Sequence, residues 1–225
     1  MRALILLGGS WHDFEGFVAS AYDLLSGWEI ESTYDLDRVL QLETDAPDIL
    51  ISDTCFARYG VGREEPGPFG MSDEQISALR EWVRGGGAFL PYHSGTVMGD
   101  SSEALAELAG GAFVEHPPQF SFPVYPVFGG HPITEGIEAF VVHDEFYKER
   151  LADTVDVHLV GIDRGVAYPL AWSKNEGKGR VAHVALGHSA LVWEHPSYQR
   201  LMRNTIGWLT RKERKAQDRK IADPQ

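Results

Sequence analysis

The chain has 225 residues, 43% of them apolar and 24% charged, with a formal net charge of −13. A single cysteine, Cys55, excludes an internal disulfide framework, and no apolar run approaches the roughly 20 residues of a membrane helix. Residues 211–225 hold six Lys/Arg against three Asp/Glu, which leaves residues 1–210 at −16; a body this acidic repels phosphate backbones and argues against nucleic acid as a partner.

Residues 3–7 form an apolar run too short and wrongly flanked for a signal peptide, so the expected compartment is the cytoplasm. The run reads as a first buried strand ending on Gly8-Gly9-Ser10-Trp11-His12-Asp13, with a helix capped by Asp13 behind it. Residues 28–34 read as a second strand, 35–42 as a short helix and 48–52 as a third strand. Residues 53–70, rich in Gly and Pro, are too irregular for a plain connection and read as a lid or rim loop. Ser72 and Gln75 spell a capping box that opens a helix with Ile76, Leu79 and Val83 inward. That helix runs into Gly85-Gly86-Gly87. An uncharged run, residues 88–92, follows and suits a strand buried on both faces; it ends on His93-Ser94-Gly95, at the edge where open α/β sheets bind their ligands.

A further helix is expected over 101–109, stopped by Gly110-Gly111. Residues 119–127 alternate apolar and polar positions, but Pro123 and Pro126 demote them to an edge strand. His131-Pro132 marks a turn. Residues 139–142 form a short strand ending on His143-Asp144-Glu145. Strands 155–162 and 166–172 follow, and a hairpin turn at 175–179 leads into strand 181–186, which ends on Gly187-His188. Ser197 is placed to cap a last helix with Leu201, Met202, Thr205, Ile206 and Leu209 on one stripe. The whole reads as one domain over 1–210 with a charged tail, 211–225, the tail being a solvated extension of the last helix.

Four strand ends finish on the same kind of residue: His12, His93, Glu145 (with Asp144) and His188. Strand ends that share one edge can bring these groups together, and three imidazoles with a carboxylate fit two kinds of site. One holds a divalent metal such as zinc on His12, His93 and His188, with Glu145 as a further ligand. The other is a metal-free pocket in which His93, His188 and His12 move protons and Glu145 orients them. Any one of these histidines alone would be an ordinary turn residue; the coincidence of three argues for function. His131 fits a turn and His183, inside a strand, a core or face position, while His116, His143, His158 and His195 read as surface or loop residues. Ser94 lacks the G-x-S-x-G elbow of a nucleophile, and Cys55 reads as structural. Trp11, Trp172, Trp193 and Phe120 flank the histidines; such aromatic faces suit sugar rings, although core packing is their commoner use.

The motifs Gly8-Gly9-Ser10-Trp11-His12-Asp13-Phe14 and Tyr92-His93-Ser94-Gly95-Thr96 resemble the opening motifs of the ThuA-like (trehalose utilisation) family. His131-Pro132-Ile133-Thr134-Glu135-Gly136 and Asp144-Glu145-Phe146-Tyr147 resemble its middle motifs. Pro169-Leu170-Ala171-Trp172, Gly177-Lys178-Gly179-Arg180-Val181 and Leu186-Gly187-His188 resemble its closing ones. The resemblance implies an α/β, flavodoxin-like three-layer sandwich with a mostly parallel central sheet, similar to class I glutamine amidotransferases, with extra β-strands in the second half. The amidotransferase cysteine is replaced at the elbow by His93 and Ser94, so glutaminase activity is not expected. The resemblance further implies acid/base chemistry on trehalose-like disaccharides or their keto derivatives. His93, His188, Glu145 and His12 would carry the chemistry, while Trp11, Ser94, Asp144, Tyr147 and Trp172 would contact the substrate. The expected partner is a small sugar, with neither nucleic acid nor membrane, and a homo-oligomer is left open. The rival reading is a non-catalytic carbohydrate-binding or regulatory module.

Overall fold

Ala3, Ile5 and Leu7 turn to one side of β1 (Arg2–Gly9) and Leu4 and Leu6 to the other, and all are buried. A strand apolar on both faces needs helices above and below it. The computed structural model, which describes residues 1–57, 69–127 and 130–211, supplies them. On one face lie α1 (Phe14–Leu24), through Phe14, Phe17 and Ala21, and the long C-terminal helix described below. The other face is covered by a 3₁₀ turn at Leu36–Gln41 and by α2 (Asp73–Gly85), whose Ile76, Leu79 and Val83 pack with Leu4, Leu6 and Leu50. The capping box of α2 is formed as read, with Ser72 accepting from Gln75 N and Gln75 accepting from Ser72 N. Asp13 likewise accepts from Gly16 N at the start of α1.

In chain order β2 is Glu29–Thr33, β3 Ile49–Cys55 and β4 Ala88–Pro91, followed by a 3₁₀ turn at His93–Thr96 and by α3 (Glu103–Ala109). Then come β5 (Gly111–Glu115), β6 (Phe120–Pro126), a 3₁₀ turn at Pro132–Thr134, β7 (Phe140–Asp144), β8 (Lys148–Leu151), β9 (Asp156–Asp163), β10 (Val166–Glu176) and β11 (Gly179–Val184). Two helices end the described chain, α4 (Ala190–Trp193) and α5 (Pro196–Leu209). The large sheet has the order β2-β1-β3-β4-β11-β10-β9-β6-β7, and β5 pairs with β8 in a separate ribbon.

From β2 to β11 every pairing is parallel; from β11 to β7 every pairing is antiparallel. The sheet is therefore half parallel rather than mostly parallel, because the β10–β11 hairpin at Gly177 and Lys178 reverses the chain without a crossover helix. β6 is not an edge strand: β7 covers one side of it and β9 the other. Pro123 is accommodated because β9 pairs only with Val124–Pro126, so no ladder bond to β9 is asked of residue 123. The last helix is capped by His195, whose Nδ1 accepts from Ser197 N, with Pro196 at its first turn; Ser197 is a donor there, not the cap. Most of the expected loop 53–70 and the tail beyond residue 211 lie outside the described residues. Among the described residues no helix is long and apolar enough to cross a membrane.

Truncating the fully buried Leu79 to Ala is expected to cost roughly 2–5 kcal/mol, since its neighbours cannot close the cavity. Ser72→Ala, which removes a cap, is expected to cost about 1 kcal/mol. Urea unfolding measures both, and a Leu79→Ala loss no larger than that of Ser72→Ala would contradict the packing described.

Candidate functional site

Gly9 takes φ +89 where a Cβ would overlap the Cys55 carbonyl, so the chain leaving β1 crosses the end of β3. Trp11 then adopts φ +73 and His12 turns inward, its Nδ1 3.1 Å from Ser10 O. Past β4, His93 takes φ +40 and its Nδ1 lies 2.6 Å from Ala185 O. A carbonyl can only accept, so both rings carry a proton on Nδ1, and in the neutral, metal-binding form each presents a bare Nε2. Beyond β11, Asp144 accepts from Gly187 N (2.8 Å) and His188 N (3.2 Å), which anchors the loop that carries His188. β7 runs in the same direction as β4 and β11 because two reversals separate it from β9. Glu145 therefore emerges at the same end of the sheet as the three histidines.

His12 Nε2, His93 Nε2, His188 Nδ1 and a Glu145 carboxylate oxygen all lie within 4.8 Å of one another. Glu145 Oε2 is 4.0 Å from His12 Nε2, 3.6 Å from His93 Nε2 and 3.3 Å from His188 Nδ1. These four atoms are buried and have no hydrogen-bond partner among the described residues. Ligand atoms about 2.0–2.2 Å from a shared tetrahedral ion stand about 3.3–3.6 Å apart; two of the three Glu145 distances fall in that range, and the whole set lies within 4.8 Å. The carbonyls behind His12 and His93 are the outer partners that metal-binding imidazoles use to fix ring orientation. The donor set therefore fits a divalent first-row ion. Side-chain exposure rises from 1% at His93 to 21% at His188 and 34% at His116, so among the described residues the cluster is most open on the side of the last two.

Burial pushes the Glu145 carboxyl up, but His188 and His93 outweigh it and hold the group far below the usual carboxylate range. Burial likewise pushes His93 down, and the carboxylates of Glu145 and Asp144 overcome it, leaving the ring raised above its ordinary value. His12 falls to about 3 through burial and the neighbouring His93. Burial lifts Asp53 to about 6, against the opposing pull of His93 and the Ser94 hydroxyl. Cys55, buried at the end of β3, is pushed up to about 11, which leaves it a thiol at neutral pH.

The structure thus brings His12, His93, Glu145 and His188 together. It treats the other expected residues differently. Trp172 is fully buried, donates Nε1–H to Ala109 O and packs on His183, so it has no surface to offer a substrate. Ser94 is also fully buried and gives its hydroxyl to Asp53 at 2.8 Å. Asp144 is consumed by backbone amides, and Tyr147 lies buried with its ring stacked on His93 at 4.6 Å. Ser94, Asp144 and Tyr147 stand behind the cluster rather than facing a ligand, and Trp172 is packed away in the core. Trp11, 58% exposed, remains at the rim.

Sequence reasoning missed His116, read as a loop residue: its Nε2 lies 3.7 Å from Glu145 Oε1, and its ring stacks on Tyr147 at 5.6 Å. The pairing of β5 with β8 brings it there, and neither strand carries an alternating pattern that would announce it. His158, expected at the surface, is buried with Nε2 2.7 Å from Ser173 Oγ. His131 serves its turn by accepting from Ile133 N, and His143 is exposed beside Ser121.

A model of the ThuA family, described as trehalose utilisation, matches residues 68–209. Among solved structures, a ThuA-like protein from Parabacteroides merdae ATCC 43184 superposes with a TM-score of 0.76 at 15% identity, covering 93% of this chain and 90% of that one. A ThuA-like protein from Bacteroides uniformis ATCC 8492 gives 0.69 at 17% identity, over 93% and 91%. A cytoplasmic protein of Salmonella typhimurium gives 0.61 at 16% identity, over 93% and 99%. At these identities the likeness is one of fold. No curated protein sequence matches the chain.

With chelator present, acid is expected to destabilise the protein partly through His12. Its ring titrates near 3 when folded and near 6.5 when unfolded, so the unfolded chain takes the proton first. That contribution is complete above about pH 6.5 and fades toward pH 3, at up to about 1.4 kcal/mol per unit. His93, raised on folding, acts in the opposite sense and contributes below its unfolded value. Urea midpoints from pH 7 to 4 should fall less steeply in His12→Asn than in the wild type; an unchanged slope would contradict the assignment.

Proposed function

The chain belongs to the ThuA family of trehalose utilisation, and on that premise we propose that it processes a trehalose-like disaccharide or a keto derivative of one by proton transfer at a metal-assisted site. One observation carries the reading: three imidazole nitrogens and a carboxylate oxygen, buried and unpartnered among the described residues, converge on one point. His12, His93, His188 and Glu145 would hold the ion, and zinc suits the set. A divalent ion held there, if it takes a further ligand as catalytic zinc can, would supply Lewis-acid polarisation to a carbonyl or hydroxyl oxygen.

The rest of the chemistry falls to side chains of this chain. A carbonyl beside the glycosidic linkage makes the neighbouring C–H acidic, so a base at the mouth of the site can remove that proton. His116 Nε2 stands at that mouth, 3.7 Å from Glu145 Oε1, and is exposed enough to exchange its proton with solvent. The exposed indole of Trp11 offers the apolar face of a sugar ring a surface to stack on. Asp53 and Asp144 stay behind the cluster and hold the turns that carry His93 and His188. No nucleophile is required: Cys55 is buried as a thiol and the Ser94 hydroxyl is bonded to Asp53. The strand order β2-β1-β3-β4-β11 supports reading the parallel half as a flavodoxin-like frame of the amidotransferase type.

Elemental analysis of protein reconstituted with zinc and freed of excess metal is expected to give about one ion per chain. Glu145→Gln and His188→Ala should lose it while keeping the wild-type circular dichroism. Product analysis with trehalose and keto-trehalose as probes should show turnover in the wild type and none in either variant. Metal-free wild-type protein that still turns substrate over would overturn the metal, and sugar binding without any product would favour the binding module.

A further inference from the structure

Two buried ionisable side chains take no part in the chemistry above. Glu149 and His183 have fully buried side chains, with Glu149 Oε1 3.5 Å from His183 Nε2. His183 Nδ1 lies 2.6 Å from Pro91 O and so carries a proton there. Thr96 Oγ1 donates to Glu149 Oε1 at 2.9 Å. His183 Nε2 and Glu149 Oε2 have no hydrogen-bond partner among the described residues.

The placement of these groups is the informative part. Glu149 stands four residues after Glu145 on one continuous stretch, and Thr96 stands three residues after His93 on one 3₁₀ turn. The two segments therefore meet twice, at Glu145–His93 (3.6 Å) and at Glu149–Thr96. β4 and β11 are tied in a matching way. Their ladder pairs Arg180 with Ala88 and Val181 with Phe89, and resumes as a bridge between Tyr92 and Val184. Around that bridge the two histidines bond reciprocally across the strands, His183 to Pro91 O and His93 to Ala185 O. Moving Glu149 would loosen both the stretch that aims Glu145 and the strand pair that aims His93.

We propose that Glu149 is a positioning residue of the four-ligand cluster, acting through Thr96 and His183 to set the separation of Glu145 from His93. The inference rests on the metal-site reading above. Partners bonded directly to a metal ligand change affinity about 10–100-fold when removed, and Glu149 stands one contact further out.

The test is Zn²⁺ affinity by competition with a chelating dye, together with the visible spectrum of the Co²⁺-loaded protein. Glu149→Ala is expected to bind Zn²⁺ more weakly, by up to about 10-fold, and to shift the Co²⁺ bands. Thr96→Val, which exchanges the hydroxyl for a methyl group, should move both readouts the same way and serves if Glu149→Ala does not fold. Glu149→Gln should restore near-wild-type affinity, because an amide nitrogen in place of Oε1 can donate to both the His183 ring and the Thr96 oxygen. Leu79→Ala, destabilised on the far face of the sheet, should keep the wild-type affinity and spectrum. Wild-type affinity in both Glu149→Ala and Thr96→Val, or a Gln variant no better than Ala, overturns the proposal. A wild type that binds neither metal fails the site reading and this inference with it, whereas binding left intact in the variants fails this inference alone.

Discussion

The site depends on two hydrogen bonds that point away from it. Ser10 O and Ala185 O take the Nδ1 protons of His12 and His93, which fixes one tautomer for each ring and leaves each Nε2 facing Glu145. Without those carbonyls either ring could turn over or present an N–H, and the convergence of lone pairs would be lost. A carboxylate among three imidazoles in a largely buried cluster is expensive unless the other hydrogen-bonding groups nearby are satisfied. The surrounding chain does much of that: Asp144 on two amides, Ser94 on Asp53, and Tyr92 Oη on Gly187 O. His12 Nε2, His93 Nε2, His188 Nδ1 and Glu145 Oε2 stay unpartnered among the described residues and converge on one point.

The scaffold explains how residues so distant in sequence meet there. In the parallel half, carboxyl ends share an edge by construction, so the ends of β1, β4 and β11 deliver His12, His93 and His188 to one place. The antiparallel half would scatter its strand ends, except that β7 follows an even number of reversals and again points to that edge. Asp144, its last residue, then anchors to the Gly187–His188 backbone, joining the two halves of the sheet directly behind Glu145.

Much of this was legible in the sequence because it rests on local signals. The Ser72–Gln75 capping box, the glycine stop after α2 and the apolar runs of β1 and β4 appear as read, while β3, read over 48–52, continues to Cys55 into the stretch read as loop. The four converging residues were found because each lies within four residues of the end of a strand. What could not be read depends on long-range pairing. Pro123 looks like an edge signal, yet its strand is flanked on both sides because the ladder to β9 begins only at Val124. Trp172, Ser94 and Tyr147 are polar or aromatic residues beside the motif histidines, and sequence alone does not tell a wall facing the ligand from the layer behind it. Their burial does. His116 comes to Glu145 only through the β5–β8 ribbon, and the Glu149–His183 pair joins strands whose adjacency no local pattern announces.

The central claim is that four side chains from four separate segments share one ion. Anomalous diffraction from crystals of the zinc-loaded protein, collected on either side of the zinc edge, tests it most directly. The account predicts a single strong peak within bonding distance of His12 Nε2, His93 Nε2, His188 Nδ1 and Glu145. A peak elsewhere on the chain, or none at this cluster at full zinc loading, would contradict it.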